Sequence, residues 1–311
     1  MIPAGGNGTR FLPITKAQPK EMLPVVDKPV IQYVVEEAIR SGIDDILIIT
    51  GKNKRAIEDH FDKSPEYAQS FTKHHAEGTN DLMLNFDEWP DIQYVRQKTQ
   101  RGLGDAILHA KHHCDDEPFA VLLGDTITMP TKGIRTCTSQ LIDGFERFGS
   151  STVAIEPVRV ENLSKYGIIR GNPLEKNFYD IQEIVEKPTA ITAPSNLGII
   201  GRYILVPEIF DAIKETLPGY GGEIQLSDSL NLLDRRMGQL TDCVRYDIGD
   251  KISWMKASMT LALEREDFSC ELLPFLQDLC NKTTSKSNYH SNNLGNYSQS
   301  LPLPKNEGIQ T

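Results

Sequence analysis

The sequence predicts an α/β fold: a doubly wound, mostly parallel sheet with a β-rich insert and C-terminal helices. Three observations carry this. Apolar runs such as IDDILIIT and FAVLLGD alternate with segments of helical period in the first 125 residues. Strands alternating with crossover helices imply a parallel sheet. From about residue 150 strand-like runs follow one another closely, and from about residue 251 to 280 the pattern is helical. With 311 residues the chain can bury one large α/β core or two modest domains.

The chain opens MIPAGGNGTRFLPITKAQPKEMLPVVDKPV. Only Met1 and Ile2 precede Pro3, so a short first strand is expected, with less pairing than a central parallel strand normally has. Gly5, Gly6 and Gly8 then stand directly before Thr9 and Arg10, with Lys16 and Lys20 close behind. Glycine lets backbone N–H groups approach an anion closely. Arg10 offers a planar fork suited to phosphate oxygens, and Lys20 a compact positive charge. This composition suits phosphate handling, though a glycine turn by itself is equally a loop after a strand. It is neither a Walker loop, which would need Gly and Lys where Arg10 and Phe11 stand, nor a complete GxGxxG, which fails at Phe11.

Asp27 is the expected N-cap of a helix carrying Val30, Tyr33, Val34, Ala38 and Ile39 on one face, with Gly42 to end it. A buried strand over 43–50 and a helix over 52–61 follow, then a polar edge excursion over 64–90. Strands at 92–96 and 119–125 flank a helix over 105–113. In such sheets ligands bind beyond the carboxyl ends of the strands, where the glycine loop would lie. Next come a strand at 151–158, a hairpin-like pair at 166–170 and 179–188 turning around Gly171, Asn172 and Pro173, and a strand at 197–205. A helix at about 207–215, a helix over GGEIQLSDSLNLLDRR, the strand end VRYDIGD and helices at 252–265 and 268–279 complete the pattern. One domain over 1–280 is expected, in parts of about 1–150, 151–250 and 251–280. Residues 281–311, rich in Asn, Ser, Thr and Lys, are expected to be a disordered tail.

Hydrophobic content of 39% with 24% charged residues is ordinary for a soluble globular protein. No run of 18 apolar residues occurs, so no membrane span is expected. No secretory signal is read ahead of the fold, and the five cysteines lack CxxC or CxxH spacing, which favours reduced thiols in the cytoplasm. The net charge of -10 opposes general affinity for nucleic acid or anionic membrane. Six of the seven histidines fall before residue 115 without a metal or nucleophile pattern.

The longer string PAGGNGTRFLPITKAQPKEMLPVVDKPVIQYVVEEA is far more specific. It resembles the signature of the sugar-nucleotide pyrophosphorylases, or nucleotidylyltransferases. The words PKEMLP and KPVIQYVVEEA look most like the bacterial and archaeal UTP–glucose-1-phosphate uridylyltransferase branch. The resemblance runs from residue 2 to about 265. It implies a Rossmann-like nucleotidyltransferase fold of GT-A type, with a nucleotide-binding half before residue 150 and a sugar-binding half after it. It also implies the reaction of UTP with glucose 1-phosphate to give UDP-glucose and pyrophosphate, Mg2+ as cofactor, and a homo-oligomer, dimer or tetramer. Other readings stay open. One is a thymidylyl- or other sugar-1-phosphate nucleotidylyltransferase of this fold. Another is a non-catalytic regulatory paralogue, against which the presence of Arg10, Lys20, Asp125 and Lys187 weighs.

Asp125 and Asp247 each follow a strand, and on composition alone either is as readily a turn cap. The resemblance implies that they hold the magnesium. It departs after the second aspartate, where Ile248-Gly249-Asp250 replaces the branch's usual Cys-Gly-Asn and Asp250 adds a nearby carboxylate. By the same resemblance Arg10, Lys20 and Lys187 carry catalysis, with Lys187 on the sugar phosphate. Glu186, Gly167 and Asn196 meet the sugar. Ala4, Gly5, Gly6, Gly8, Thr9 and Arg10 receive the nucleotide, with Gln97 and Gly102 reading the uracil. Without the family, Lys187 is a solvated strand-edge residue and Gln97 a surface side chain.

Overall fold

The computed structural model describes residues 1–62, 89–131 and 135–297. The chain forms two compact units, Met1–Ala257 and Ser258–Thr311.

The first unit begins with strand β1 (Ile2–Pro3), followed by a small hairpin, β2 (Pro24–Val25) and β3 (Lys28–Pro29). Helix α1 (Val30–Arg40) leads to β4 (Ile46–Thr50), and α2 (Arg55–Phe61) follows it. Then come β5 (Ile92–Arg96), α3 (Leu103–Leu108), β6 (Phe119–Leu122) and β7 (Thr126–Pro130). β1, β4 and β5 pair in parallel, in the order β1-β4-β5. β6 joins on the far side of β1: Met1 N donates to Ala120 O, Leu122 N to Met1 O and Gly124 N to Pro3 O. The spatial order is therefore β5-β4-β1-β6. It runs outward one way for two strands and then jumps back past β1. That reversal leaves a crevice beyond the ends of β1 and β6, the place where open α/β sheets take ligands. The short first strand is thus paired on both sides.

α1 covers this sheet. Ile31, Val34, Val35 and Ala38 pack with Ile46, Ile48 and Leu122, all nearly inaccessible. Each buried Val, Ile or Leu side chain among them contributes about 1.5–3 kcal/mol. The helix has Pro29 as its N-cap and not Asp27, because Lys28 and Pro29 are held in the β2–β3 hairpin. It ends as expected: Gly42 takes φ +83, and the Ile43 N–H reaches back to Ala38 O, as in a Schellman turn.

The second half of the unit contains α4 (Cys137–Phe148), β8 (Ser151–Pro157), β9 (Gly167–Glu175), β10 (Phe178–Glu186) and β11 (Leu197–Leu205). α5 (Ile209–Glu215), α6 (Leu226–Asn231), β12 (Arg236–Leu240) and β13 (Cys243–Asp247) follow. The larger sheet is mixed, in the order β6-β11-β8-β12-β10-β9, with β8–β12 its parallel pair. β6 belongs to it and to the parallel sheet at once, so no sheet boundary falls at residue 150. The β9–β10 turn is at Lys176 and Asn177, not at Gly171–Pro173. Pro173 is accommodated inside β9, opposite Tyr179 of β10, where β9 is the end strand of the sheet order among the described residues, a place that tolerates proline. α4, β7 and β12 have no counterpart in the sequence reading; the end of the expected helix at Arg236 is a strand.

A buried ion pair ties these layers together. Arg202 on β11 donates through Nε and Nη2 to Glu37 Oε2 on α1, at 3.0 and 2.8 Å. Thr128 on β7 and Thr138 on α4 also donate to Glu37.

α7 (Lys251–Leu263) closes the first unit and runs into the second, which holds α8 (Glu266–Tyr297). Residues 281–297, expected to be disordered, lie within that helix, for no proline or glycine interrupts the chain between Pro274 and Gly295. Residues 298–311, and nearly all of the expected excursion at 64–90, lie outside the described residues. Among the described residues no helix is long and apolar enough to cross a membrane.

Candidate active site

A cleft of about 580 Å³ opens at the strand-order reversal. Its walls hold Gly5, Gly6, Gly8, Thr9, Arg10, Lys20, Gln97, Gly102, Asp125, Gly167, Glu186, Lys187 and Asp247. Of the expected site residues, Ala4 and Asn196 do not line it. Ala4 is buried and donates its N–H to Ile49 O, while Asn196 gives its carbonyl to Val158 N–H.

The glycine loop follows β1 directly. Gly8, at φ +62, opens a single 3₁₀ turn whose Phe11 is buried as an anchor. Phe11 N–H and Thr15 Oγ1 both bond Gly8 O, at 3.0 and 2.7 Å. The turn delivers Arg10, exposed, to the cleft rim. Gln100, unmarked in the sequence, donates to Gly5 O from across the cleft.

Lys20 forms an ion pair with Asp125, just beyond β6. Burial works to raise the Asp125 pKa, but the Lys20 ammonium outweighs it and holds the carboxyl below its usual value. Burial likewise opposes charge on Lys20, and Asp125 and Glu21 reverse that, so its pKa rises. Glu21 is buried beside Lys54 at 2.6 Å. Burial raises the Glu21 pKa and lowers that of Lys54, against the attraction between them.

Asp247 ends β13, whose antiparallel ladder to β7 sets Asp247 opposite Thr126; Ile248 N–H bonds Asp125 O at 3.0 Å. The two aspartates therefore come from adjacent backbone positions and line one cleft. Asp247 Oδ2 accepts from Tyr166 OH at 3.0 Å and faces Arg245 Nη1 at 3.4 Å. Burial works to lower the Arg245 pKa, but the hydrogen bond and charge of Glu156 outweigh it and leave the pKa raised. Asp250 is not a third site carboxylate. It caps α7, accepting from Ser253 N and Oγ at 2.9 and 3.0 Å.

On the opposite wall, Lys187 sits at φ +47, a conformation a non-glycine residue adopts only when its surroundings hold it. Its N–H bonds Tyr166 O, its Nζ lies 3.1 Å from Glu186 Oε1 and 5.0 Å from the Tyr220 ring. Ser227 Oγ donates to Glu186 Oε2. Gly167 is adjacent: a Cβ there would stand 3.2 Å from that same oxygen.

Gln97 follows β5 and is nearly inaccessible at 4%. Gly102 leaves no room for a side chain, since a Cβ would lie 2.6 Å from Ile224 O. The space it frees is taken by the Ile224 backbone, which bonds Arg101 O and Gly104 N–H. The loop at Gln97–Gly104 is thereby clamped to the segment carrying Ser227.

Sequence reasoning missed Tyr166, Arg245, Glu21 and Ser227. Arg245 was within reach, because alternation along a strand puts it on the same face as Asp247. Nothing local marks Lys54 or Ser227, whose partners are distant in the chain.

These groups can bind two phosphate-bearing molecules end to end, with carboxylates between them. The match to known proteins agrees. The family model described as Nucleotidyl transferase matches residues 1–264. The chain is 46% identical to the UTP–glucose-1-phosphate uridylyltransferase YngB of Bacillus subtilis, over 92% of this chain and 96% of that one. It is also 46% identical to a putative UTP–glucose-1-phosphate uridylyltransferase of Methanocaldococcus jannaschii, over 90% and 98%. A solved UDP-glucose pyrophosphorylase complexed with UDP-glucose superimposes with TM-score 0.78 at 43% identity, covering 85% of this chain and 98% of that one. Fold, cleft and sequence together place this chain in the nucleotidyl transferase family.

Proposed function

We propose that this protein is a UTP–glucose-1-phosphate uridylyltransferase, making UDP-glucose and pyrophosphate. The observation that carries this is one cleft in which the glycine loop with Arg10 and Gln97 faces Gly167, Glu186 and Lys187 across Asp125 and Asp247. The choice of UTP and glucose 1-phosphate rests on relatives that bear that activity in their names.

In this reading the glycine-loop N–H groups and Arg10 hold the triphosphate. Lys20 stands at the phosphate to be attacked. Lys187 grips the sugar phosphate and aims it in line, while Glu186 accepts from sugar hydroxyls. The sugar phosphate is already an anionic nucleophile, so no general base is required and transfer is direct. Positioning and charge neutralisation do the rest.

The donor set suits Mg2+. Two carboxylates offer hard oxygens, both now hold cationic partners in Lys20 and Arg245, and substrate phosphates would fill the remaining positions. Asp125 and Asp247 would hold the ion, which when bound would neutralise charge building on the phosphates. A homo-oligomer, dimer or tetramer, belongs to the same proposal on family resemblance, and a cytoplasmic location on the cysteine pattern.

The test is to incubate the protein with UTP, glucose 1-phosphate and Mg2+ and separate the nucleotides chromatographically. UDP-glucose and pyrophosphate should appear in equal amounts. UTP consumed without UDP-glucose, or no consumption at all, refutes the proposal.

A further inference from the structure

We propose that Asp105 is a positioning residue which fixes the end of the Gln97 amide that faces the cleft, and thereby sets the base the site accepts. This rests on the reading above, in which Gln97 meets the base.

Gln97 Nε2 donates to Asp105 Oδ2 at 2.7 Å and to Gly102 O at 3.3 Å. Both partners offer acceptor oxygens here. One is a backbone carbonyl. The other is a carboxylate whose second oxygen already accepts from Arg101 Nε and Nη2, at 3.0 and 2.6 Å. A reversed amide would set Gln97 Oε1 against two acceptors in a buried place, a mismatch with a penalty of about 1–3 kcal/mol per unsatisfied group. The amide nitrogen is therefore turned inward. Oε1 points the other way, 3.1 Å from where a Cβ on Gly5 would be, and Gly5 and Gln97 both line the cleft.

The cleft therefore presents a hydrogen-bond acceptor to the base. Uracil, with an N–H at N3, pairs with it. Cytosine, whose N3 is itself an acceptor, cannot pair there at N3; its only donor on that edge is the N4 amine. Thymine has the same N3–H edge, so this device separates uracil from cytosine and not from thymine. Asp105 is wholly buried in the first turn of α3 and does not line the cleft. It acts only through Gln97.

The substitution Asp105→Asn tests this. Arg101 keeps the remaining side-chain oxygen as its acceptor, which leaves the new amide nitrogen facing Gln97. Gln97 then turns over and presents its own NH2 to the cleft. Binding of UTP and of CTP is measured by calorimetry with Mg2+, so the readout does not depend on turnover. The wild type should bind UTP more tightly than CTP, and in Asp105→Asn that preference should fall by about 10- to 100-fold. Adding Gln97→Glu in the same chain restores an acceptor on the cleft side and should restore the preference. A role confined to holding Arg101 and α3 would weaken both nucleotides alike and would not be rescued. A folded Asp105→Asn protein that keeps the wild-type UTP-to-CTP ratio within about twofold overturns the proposal. If that variant does not fold, the wild type is titrated with UTP methylated at N3: much weaker binding is expected, and binding equal to that of UTP overturns it. A wild type that shows the UTP preference but makes no UDP-glucose would sink the catalytic reading and leave this one standing.

Discussion

Gly102→Ala is the perturbation whose size the structure defines best. Gly102 has φ +110 and ψ 177, a region essentially closed to other residues, which costs about 1–3 kcal/mol for alanine. The added Cβ would lie 2.6 Å from Ile224 O and 2.8 Å from Ile224 N, both backbone atoms that no rotamer change can move. Ordinary contact begins near 3.4 Å, so the two backbones must part by most of an ångström. That parting breaks the bonds from Ile224 N to Arg101 O, at 2.7 Å, and from Gly104 N to Ile224 O, at 2.9 Å. At about 1 kcal/mol for each bond, plus strain, the variant should lose about 3–5 kcal/mol of stability. Function should suffer at both ends of the cleft. Gln97 loses its Gly102 partner, and the segment that carries Ser227 to Glu186 shifts with Ile224. A displacement of this size lowers catalytic efficiency by about a hundredfold. The assay is urea unfolding beside kcat/KM for UTP and for glucose 1-phosphate. A midpoint and both efficiencies near wild type would refute the clamp between the two loops. Loss for UTP alone would show that the segment at Ser227 does not move with Gly102.

Three further outcomes are expected. Asp125→Asn should keep its circular dichroism spectrum and lose turnover by about 10²–10³-fold, as measured by pyrophosphate release; near-normal turnover removes Asp125 from the site. Lys187→Ala deletes a charge-assisted phosphate contact and should raise KM for glucose 1-phosphate by about 10- to 100-fold, with a smaller change for UTP. The reverse pattern in initial-rate kinetics means the two ends of the cleft are interchanged. Arg202→Met leaves Glu37 buried without its cation and should destabilise the fold by about 3–5 kcal/mol in chemical denaturation, and a loss under about 1 kcal/mol contradicts the role given to that pair.

Much of this was legible in the sequence because the information was local. The helical face of Val34, Ala38 and their neighbours, the Gly42 stop and the apolar strands at Ile46 and Phe119 read directly from period and punctuation. Asp125 and Asp247 could be placed at strand ends, where ligands gather. What stayed hidden depended on distant pairing. Thr126–Pro130 is a strand because Cys243–Asp247 pairs with it, more than a hundred residues on. Of the strand Arg236–Leu240 only Arg236 is read from the sequence at all, as the end of a helix; the strand exists because β8 accepts it in parallel. Asp105 looked like one more residue of a helix start; only folding brings its carboxylate against Gln97. The same holds for Asp27, a sound N-cap by residue type, which the β2–β3 hairpin places outside the helix.

The central claim is that the cleft joins a uridine triphosphate to a glucose phosphate. It is tested most directly by pyrophosphate release from the wild-type protein over a grid of UTP, dTTP, CTP, ATP and GTP against glucose, galactose and mannose 1-phosphates with Mg2+. The highest kcat/KM should fall on UTP with glucose 1-phosphate, with CTP far below UTP for every sugar. A maximum at dTTP or at another sugar phosphate, or no release from any pair, contradicts it.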